Sequence, residues 1–265
     1  MGFSITELLL SATLVMLLSA ASLSLLMHTR QTQSQIENMA DLEERAGFVL
    51  ALLEDDIRLA GFWGLHADGS KLLTHESVSI RCGGSDITDW ALQTTKAIEV
   101  THNSYFLPCP PHSSAAGSAD TLTLRHASPA ITEARNGTVQ VEATLNGGEI
   151  FMDGSPTDLA TITQIHDVLV HAWYVDQASS EQGLPGLRRY TLTHKGLLQN
   201  QEIMPGIDSL TVRLGIDEDD DGRTDTFVTQ NDLRGHPVLS LKVSLSVRNR
   251  LKVERIIALK NQTTA

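Results

Sequence analysis

Residues 2–30 read GFSITELLLSATLVMLLSAASLSLLMHTR, and nothing from Leu8 to Met27 is charged. A run of about 20 such residues makes a helix of about 30 Å, the thickness of a bilayer's hydrocarbon core. It is longer than the apolar core of an ordinary secretory signal. No basic leader precedes it, and its small trio Ser19-Ala20-Ala21 lies inside the run, not after it. Ser11, Thr13, Ser19, Ser22 and Ser24 are spread along the run. Small hydroxyl residues let helices approach closely in lipid or in a bundle. The segment reads as a membrane helix able to pack against its own kind. Glu7 stands at its head. An acid within a spanning helix costs about 3 kcal/mol and calls for a partner. At the membrane edge the helix dipole would favour it instead.

The helix is expected to continue beyond the membrane. Ile36, Met39, Leu42, Ala46, Val49, Leu53, Ile57 and Ala60 recur at steps of three or four, with Glu43, Glu44 and Asp55 between them. Such a stripe predicts a helix packed on a globular domain, weakened locally at Gly47 and stopped near Gly61. Past Gly64 the period changes to two. Thr121–Leu124, Thr138–Val141 and Val238–Val247 alternate, and Val168–Val175, Arg189–Thr193 and Ser209–Leu214 read as further strands. Turn signals separate them at Asn136-Gly137, Asn146-Gly147-Gly148, Asp153-Gly154, Pro185-Gly186 and Pro205-Gly206. His112–Ala119 is a small-residue loop without a core pattern. The fold class is α+β: one long N-terminal helix, half transmembrane and half amphipathic, laid on an antiparallel sheet. The helix is expected over 3–60, with 3–27 in the membrane, and a β-rich globular domain over 61–265.

The formal net charge is -12. That argues against a surface for nucleic acid or anionic lipid, which needs clustered Lys and Arg. Cys82 and Cys109 are the two cysteines, in no C-x-x-C pair and with no His-rich neighbourhood, so they do not read as a zinc site. In an exported domain they pair as a disulfide, stabilising the fold by about 3.5 kcal/mol. In a reducing compartment they are two buried thiols.

Two stretches resemble a known family. Gly2-Phe3-Ser4-Ile5-Thr6-Glu7-Leu8 resembles the processing motif of type IV prepilins. The resemblance implies cleavage after Gly2 by a prepilin peptidase and methylation of the new N-terminus at Phe3. Glu7 would then pair with the freed Phe3 amine, in its own subunit or a neighbour, and set subunit register. Family leaders carry Lys or Arg before the glycine. Here Met1 alone stands there, so residues 1–2 are expected to be a leader remnant. The first basic residue after the span is Arg30, and charge counting gives no orientation. The family orientation is N-terminus cytoplasmic.

The stretch Arg45–Gly64, RAGFVLALLEDDIRLAGFWG, resembles the PilW group of minor pilins. The likeness runs from Gly2 to about Arg248 and is densest at the N-terminus, at Arg45–Gly64 and at Ile203–Val228. It implies a subunit that joins other minor pilins, the major pilin and a PilY-type adhesin in a tip complex that starts assembly. The outputs would be twitching motility, adhesion and DNA uptake. The protein would wait in the inner membrane with its globular domain in the periplasm, then reach the cell surface at the pilus tip. The alternatives are a J-type pseudopilin of type II secretion and a membrane-anchored periplasmic binding module that never polymerises.

Asp217-Glu-Asp219-Asp-Asp221-Gly222-Arg223-Thr-Asp225 is the stretch richest in metal-binding chemistry. Asp at positions one, three, five and nine with Gly at six follows most of a calcium loop, and the Arg223 carbonyl supplies position seven. Position twelve is Val228, not the bidentate Glu, and the flanks read as strands, so this is no EF-hand. A structural Ca²⁺ is expected, with a Kd of about 10⁻⁴ to 10⁻³ M. The other reading is a solvated acidic hairpin tip. No hydrolase, zinc-protease, P-loop or dinucleotide motif is present, and the chain does not read as an enzyme. His166 and His171 would point to opposite faces of a strand as packing or surface residues.

Overall fold

The computed structural model describes residues 4–65, 68–157, 162–248 and 251–263. The chain divides into two compact units, 1–45 and 46–265, and helix α1 (Ile5–Leu59) belongs to both.

In the first unit α1 is long and apolar enough to cross a membrane. Three hydroxyl side chains of the apolar run bond within the helix. Ser11 donates to the Leu8 carbonyl at 2.9 Å, Thr13 to Leu10 at 2.8 Å and Ser22 to Leu18 at 2.9 Å. Each thus enters an apolar medium with its polar group already bonded. The predicted apolar stripe is buried from Leu42 onward, whereas Ile36 and Met39 stay exposed. Gly47 does not interrupt the helix.

The second unit begins with the last turns of α1, whose Ala46, Val49, Leu53 and Ile57 are buried. The helix stops at Gly61, whose φ of +75° is open to glycine at little cost. The Gly61 N–H donates to the Arg125 carbonyl at 3.1 Å, and the Ala127 N–H donates to Phe62 at 2.6 Å. Trp63 follows, fully buried.

Strands follow in the order β1 (Leu72–Thr74), β2 (Arg81–Cys82), β3 (Ser85–Asp86), β4 (Ile98–Thr101), β5 (Thr121–Ile131), β6 (Asn136–Thr144) and β7 (Gly147–Asp153). Then come β8 (Gln164–Asp176), β9 (Gly186–Thr193), β10 (Leu197–Pro205), β11 (Ile207–Ile216), β12 (Thr226–Val228), β13 (Val238–Val247) and β14 (Leu251–Thr263). A short helix, α2 (Thr88–Ala91), precedes β4. Where one sheet was expected, the described residues form two: a ten-stranded sheet through β10, and a four-stranded sheet ordered β12-β11-β13-β14. The first sheet is antiparallel except at β1–β7 and β2–β10, which pair in parallel.

Strand β8 organises the large sheet. β5 lies along one edge, with Leu124 opposite His171 and Leu122 opposite Trp173. β6 and then β9 share the other edge. Asp120, buried just before β5, joins the two sheets: its N–H donates to Leu210, and its carboxylate accepts from the Val212 N–H, both at 2.8 Å. Asn136-Gly137, expected as a turn, instead opens β6. Gly137 has a φ of +83°, and the register with β7 shifts between Asn136 and Gln140, so the pair makes a bulge.

Cys82 and Cys109 form a disulfide with a Cα–Cα separation of 5.6 Å. The loop that follows is tied down although its sequence lacks a core pattern. The Tyr105 hydroxyl donates to the Cys109 carbonyl at 2.6 Å, the His112 N–H to the Tyr174 hydroxyl at 3.0 Å, and the Ser113 N–H to Asp176 at 3.0 Å.

Candidate functional site

Gly2 and Phe3, the expected processing positions, lie outside the described residues. Glu7 sits in the first turn of α1. Its carboxylate accepts the Ser4 N–H at 3.2 Å, while the Ser4 hydroxyl oxygen accepts the Thr6 N–H at 3.4 Å. Ser4-x-x-Glu7 is thus a capping pair that satisfies two of the donors a helix start leaves unbonded. Within one chain Glu7 has a local role, and its charge sits at the positive end of the helix dipole.

The acidic residues 217–225 connect β11 to β12, with Ile216 opposite Thr226. Carboxylate oxygens of Asp217, Asp219 and Asp225 lie within 4.8 Å of one another. Asp217 is buried and accepts the Asp221 N–H at 3.2 Å and the Gly222 N–H at 2.8 Å. Gly222 makes this possible with a φ of +80°. Asp225 accepts from the Glu218 N–H at 2.7 Å. Asp221 is not part of the gathered trio; its side chain accepts the Arg223 N–H at 2.8 Å. A bond from the Asp221 N–H would lower the Asp219 pKa, but the charges of Asp221, Asp225 and Asp217 raise it above the ordinary value. Three converging carboxylates, each accepting a backbone N–H, are a set of oxygen donors that fits a hard cation.

A third constellation escaped the sequence reading. Asp56 lies on the buried face of α1 beside Ile57 and meets two histidines and a tryptophan from the large sheet. Its carboxylate is 3.1 Å from His126 Nε2 and 2.6 Å from His171 Nδ1, and it accepts from Trp173 Nε1 at 3.0 Å. The sheet register explains the convergence. His126 is opposite Leu169, and His171 and Trp173 follow Leu169 at steps of two, so all share one face. Burial by itself would raise the Asp56 carboxyl. The bonds and charges of His126 and His171 overcome that and hold it far below the usual carboxylate range. His171 is therefore neither a surface nor a simple packing residue. His166 does face the other way: its Nδ1 donates to the Ser128 carbonyl at 2.9 Å, and its ring meets Phe62 edge-on. The available signal was an acid on an otherwise apolar stripe, which demands a buried partner.

Residues 172–262 match the family model described as Type IV Pilus-assembly protein W. The match runs from the end of β8 into β14 and includes Ile203–Val228, so the resemblance read from the sequence is borne out over that region. A solved chain from the GspK-GspI-GspJ complex of the enterotoxigenic Escherichia coli type 2 secretion system is similar over 82% of this chain and 97% of its own. Its identity to this chain is 9%, with a TM-score of 0.39. No curated protein sequence matches.

Proposed function

We propose that this chain is a PilW-like minor pilin of the type IV pilus, held in the inner membrane by α1 and passed to the pilus tip on assembly. The observation that carries the reading is the family match across β8–β14 in a chain that opens with a membrane-length apolar helix headed by Glu7. In this account α1 is stored in lipid and becomes part of the filament core, while the two sheets present contacts to other minor pilins, the major pilin and a PilY-type adhesin. Glu7 caps its own helix through Ser4 and, once a peptidase cuts after Gly2, meets the ammonium freed at Phe3. That pairing neutralises an acid that is otherwise costly in lipid. Twitching motility and adhesion follow from pilus assembly.

The acidic loop completes the proposal as a structural calcium site. Asp217, Asp219 and Asp225 would hold the ion, and Asp221 would join by giving up its bond to the Arg223 N–H. A cation there removes the carboxylate repulsion and fixes the β11–β12 connection. Isothermal titration should give one calcium site with a Kd of about 10⁻⁴ to 10⁻³ M, lost in Asp219→Ala; no heat from the unaltered chain ends this part of the proposal.

The pilin reading is tested in native membranes. Mass spectrometry should find Phe3 as the N-terminus, and other minor pilins should co-purify with the chain. Retention of Met1, with no such partners, supports an anchored periplasmic module instead.

A further inference from the structure

We propose that Asp56, His126 and His171 form a zinc site that pins the end of helix α1 to the large sheet. This inference does not depend on the pilin reading. The three residues are each more than nine-tenths buried, and each offers one ligand atom within 4.8 Å of the others. Two imidazole nitrogens and a carboxylate oxygen are a donor set that suits Zn²⁺, and three protein ligands leave a fourth position open.

The surroundings match what holds metal ligands in place. His126 Nδ1 donates to the Ala127 carbonyl at 2.9 Å, which turns Nε2 toward Asp56. Trp173 Nε1 donates to Asp56 Oδ2 at 3.0 Å, His171 Nδ1 lies 2.8 Å from that same oxygen, and Oδ1 faces both histidines. Outer bonds of this kind orient first ligands and set their tautomers. The spacing is close to what the ion needs. Bonds of about 2.0–2.1 Å in a tetrahedral site separate ligand atoms by about 3.3 Å. His126 Nε2 is already 3.1 Å from Asp56 Oδ1. His171 Nδ1, at 2.6 Å, has to retreat by about 0.7 Å. The acidic loop at 217–225 offers oxygen ligands alone and is not a competitor for the same ion.

The consequence is a staple. Asp56 comes from the helix, His126 from β5 and His171 from β8, so one ion would tie three elements remote in sequence. The test uses the full chain in detergent, stripped with a chelator and then titrated with zinc. We expect one equivalent of zinc per chain after dialysis, a higher thermal midpoint on reloading, and loss of both in His171→Ala. Asp219→Ala should keep the zinc. Because His171→Ala can fail to fold, the unaltered chain is also loaded with Co²⁺. A tetrahedral ligand-field spectrum, with shifts in the nitrogen resonances of two histidines, is expected. No zinc retained by the unaltered chain, equal zinc in a folded His171→Ala, or cobalt without histidine shifts would each overturn the site.

Discussion

Reducing the Cys82–Cys109 bond gives a perturbation whose size follows from the chain itself. The cysteines are 27 residues apart in sequence. In the chain-entropy account, opening a loop of that length returns about 12 cal/mol/K to the unfolded ensemble, or about 3.5 kcal/mol at 25 °C. The folded loop has independent anchors in Tyr105, Tyr174 and Asp176, so the native arrangement should survive reduction and the loss should arise in the unfolded state. Urea unfolding with and without reductant, in detergent, measures it. Trp63 and Trp173 are buried in the second unit, so their fluorescence follows that unit and not the apolar helix. With an m-value of about 3 kcal/mol/M for a unit of this size, the midpoint should fall by about 1.2 M, and m should not decrease. An unchanged midpoint would refute the reasoning, because a bridge that leaves the unfolded chain's freedom untouched cannot act by loop closure.

Three further outcomes are expected. Asp56→Ala strips His126, His171 and Trp173 of their shared acceptor and should cost about 3–5 kcal/mol in the same urea assay; a loss below 1 kcal/mol would show that the cluster does not hold α1 to the sheet. Leu53→Ala, at a fully buried position, should cost about 2–5 kcal/mol, whereas Leu17→Ala, in the exposed apolar span, should leave that transition in place. Glu254 is bonded by Lys252, Ser244 and Lys242, which hold its carboxyl at about 2, below the ordinary 4.5. A lowered folded-state value means its contribution is present above pH 4.5 and is lost as the pH falls toward 2. Glu254→Gln should therefore flatten the acid side of the stability profile, and an unchanged acid limb would contradict the assignment.

The helix and most strands were legible because their signals are local. An uncharged run, a stripe at steps of three or four and clean alternation each depend on residues near one another in sequence. The gathering of Asp217, Asp219 and Asp225 was legible for the same reason, since these acids and Gly222 fall within nine positions. The Asp56 cluster was not legible, because it needs a register. His126 and His171 meet only when β5 pairs with β8 and α1 lies over that pair. His166 and His171 face opposite sides of their strand, and the partner His171 meets is Asp56, 115 residues away on α1. The split into two sheets was hidden likewise, since alternation looks the same at Thr121–Leu124 in the first sheet as at Val238–Val247 in the second. Asn136-Gly137 shows the limit of turn chemistry: a glycine at positive φ serves a bulge as well as a turn.

In the proposed account Glu7 has a local role and an assembled one, and one substitution separates them. Glu7→Gln keeps a side-chain oxygen to accept the Ser4 N–H, so the helix cap is preserved. It removes the charge that would meet the Phe3 ammonium. Sheared pili are collected from cells making either version at equal membrane levels, and the subunit is quantified in the fibres. The variant should accumulate in the membrane and be depleted from fibres at least tenfold. Equal incorporation of the variant would contradict the electrostatic account of how this subunit enters a pilus.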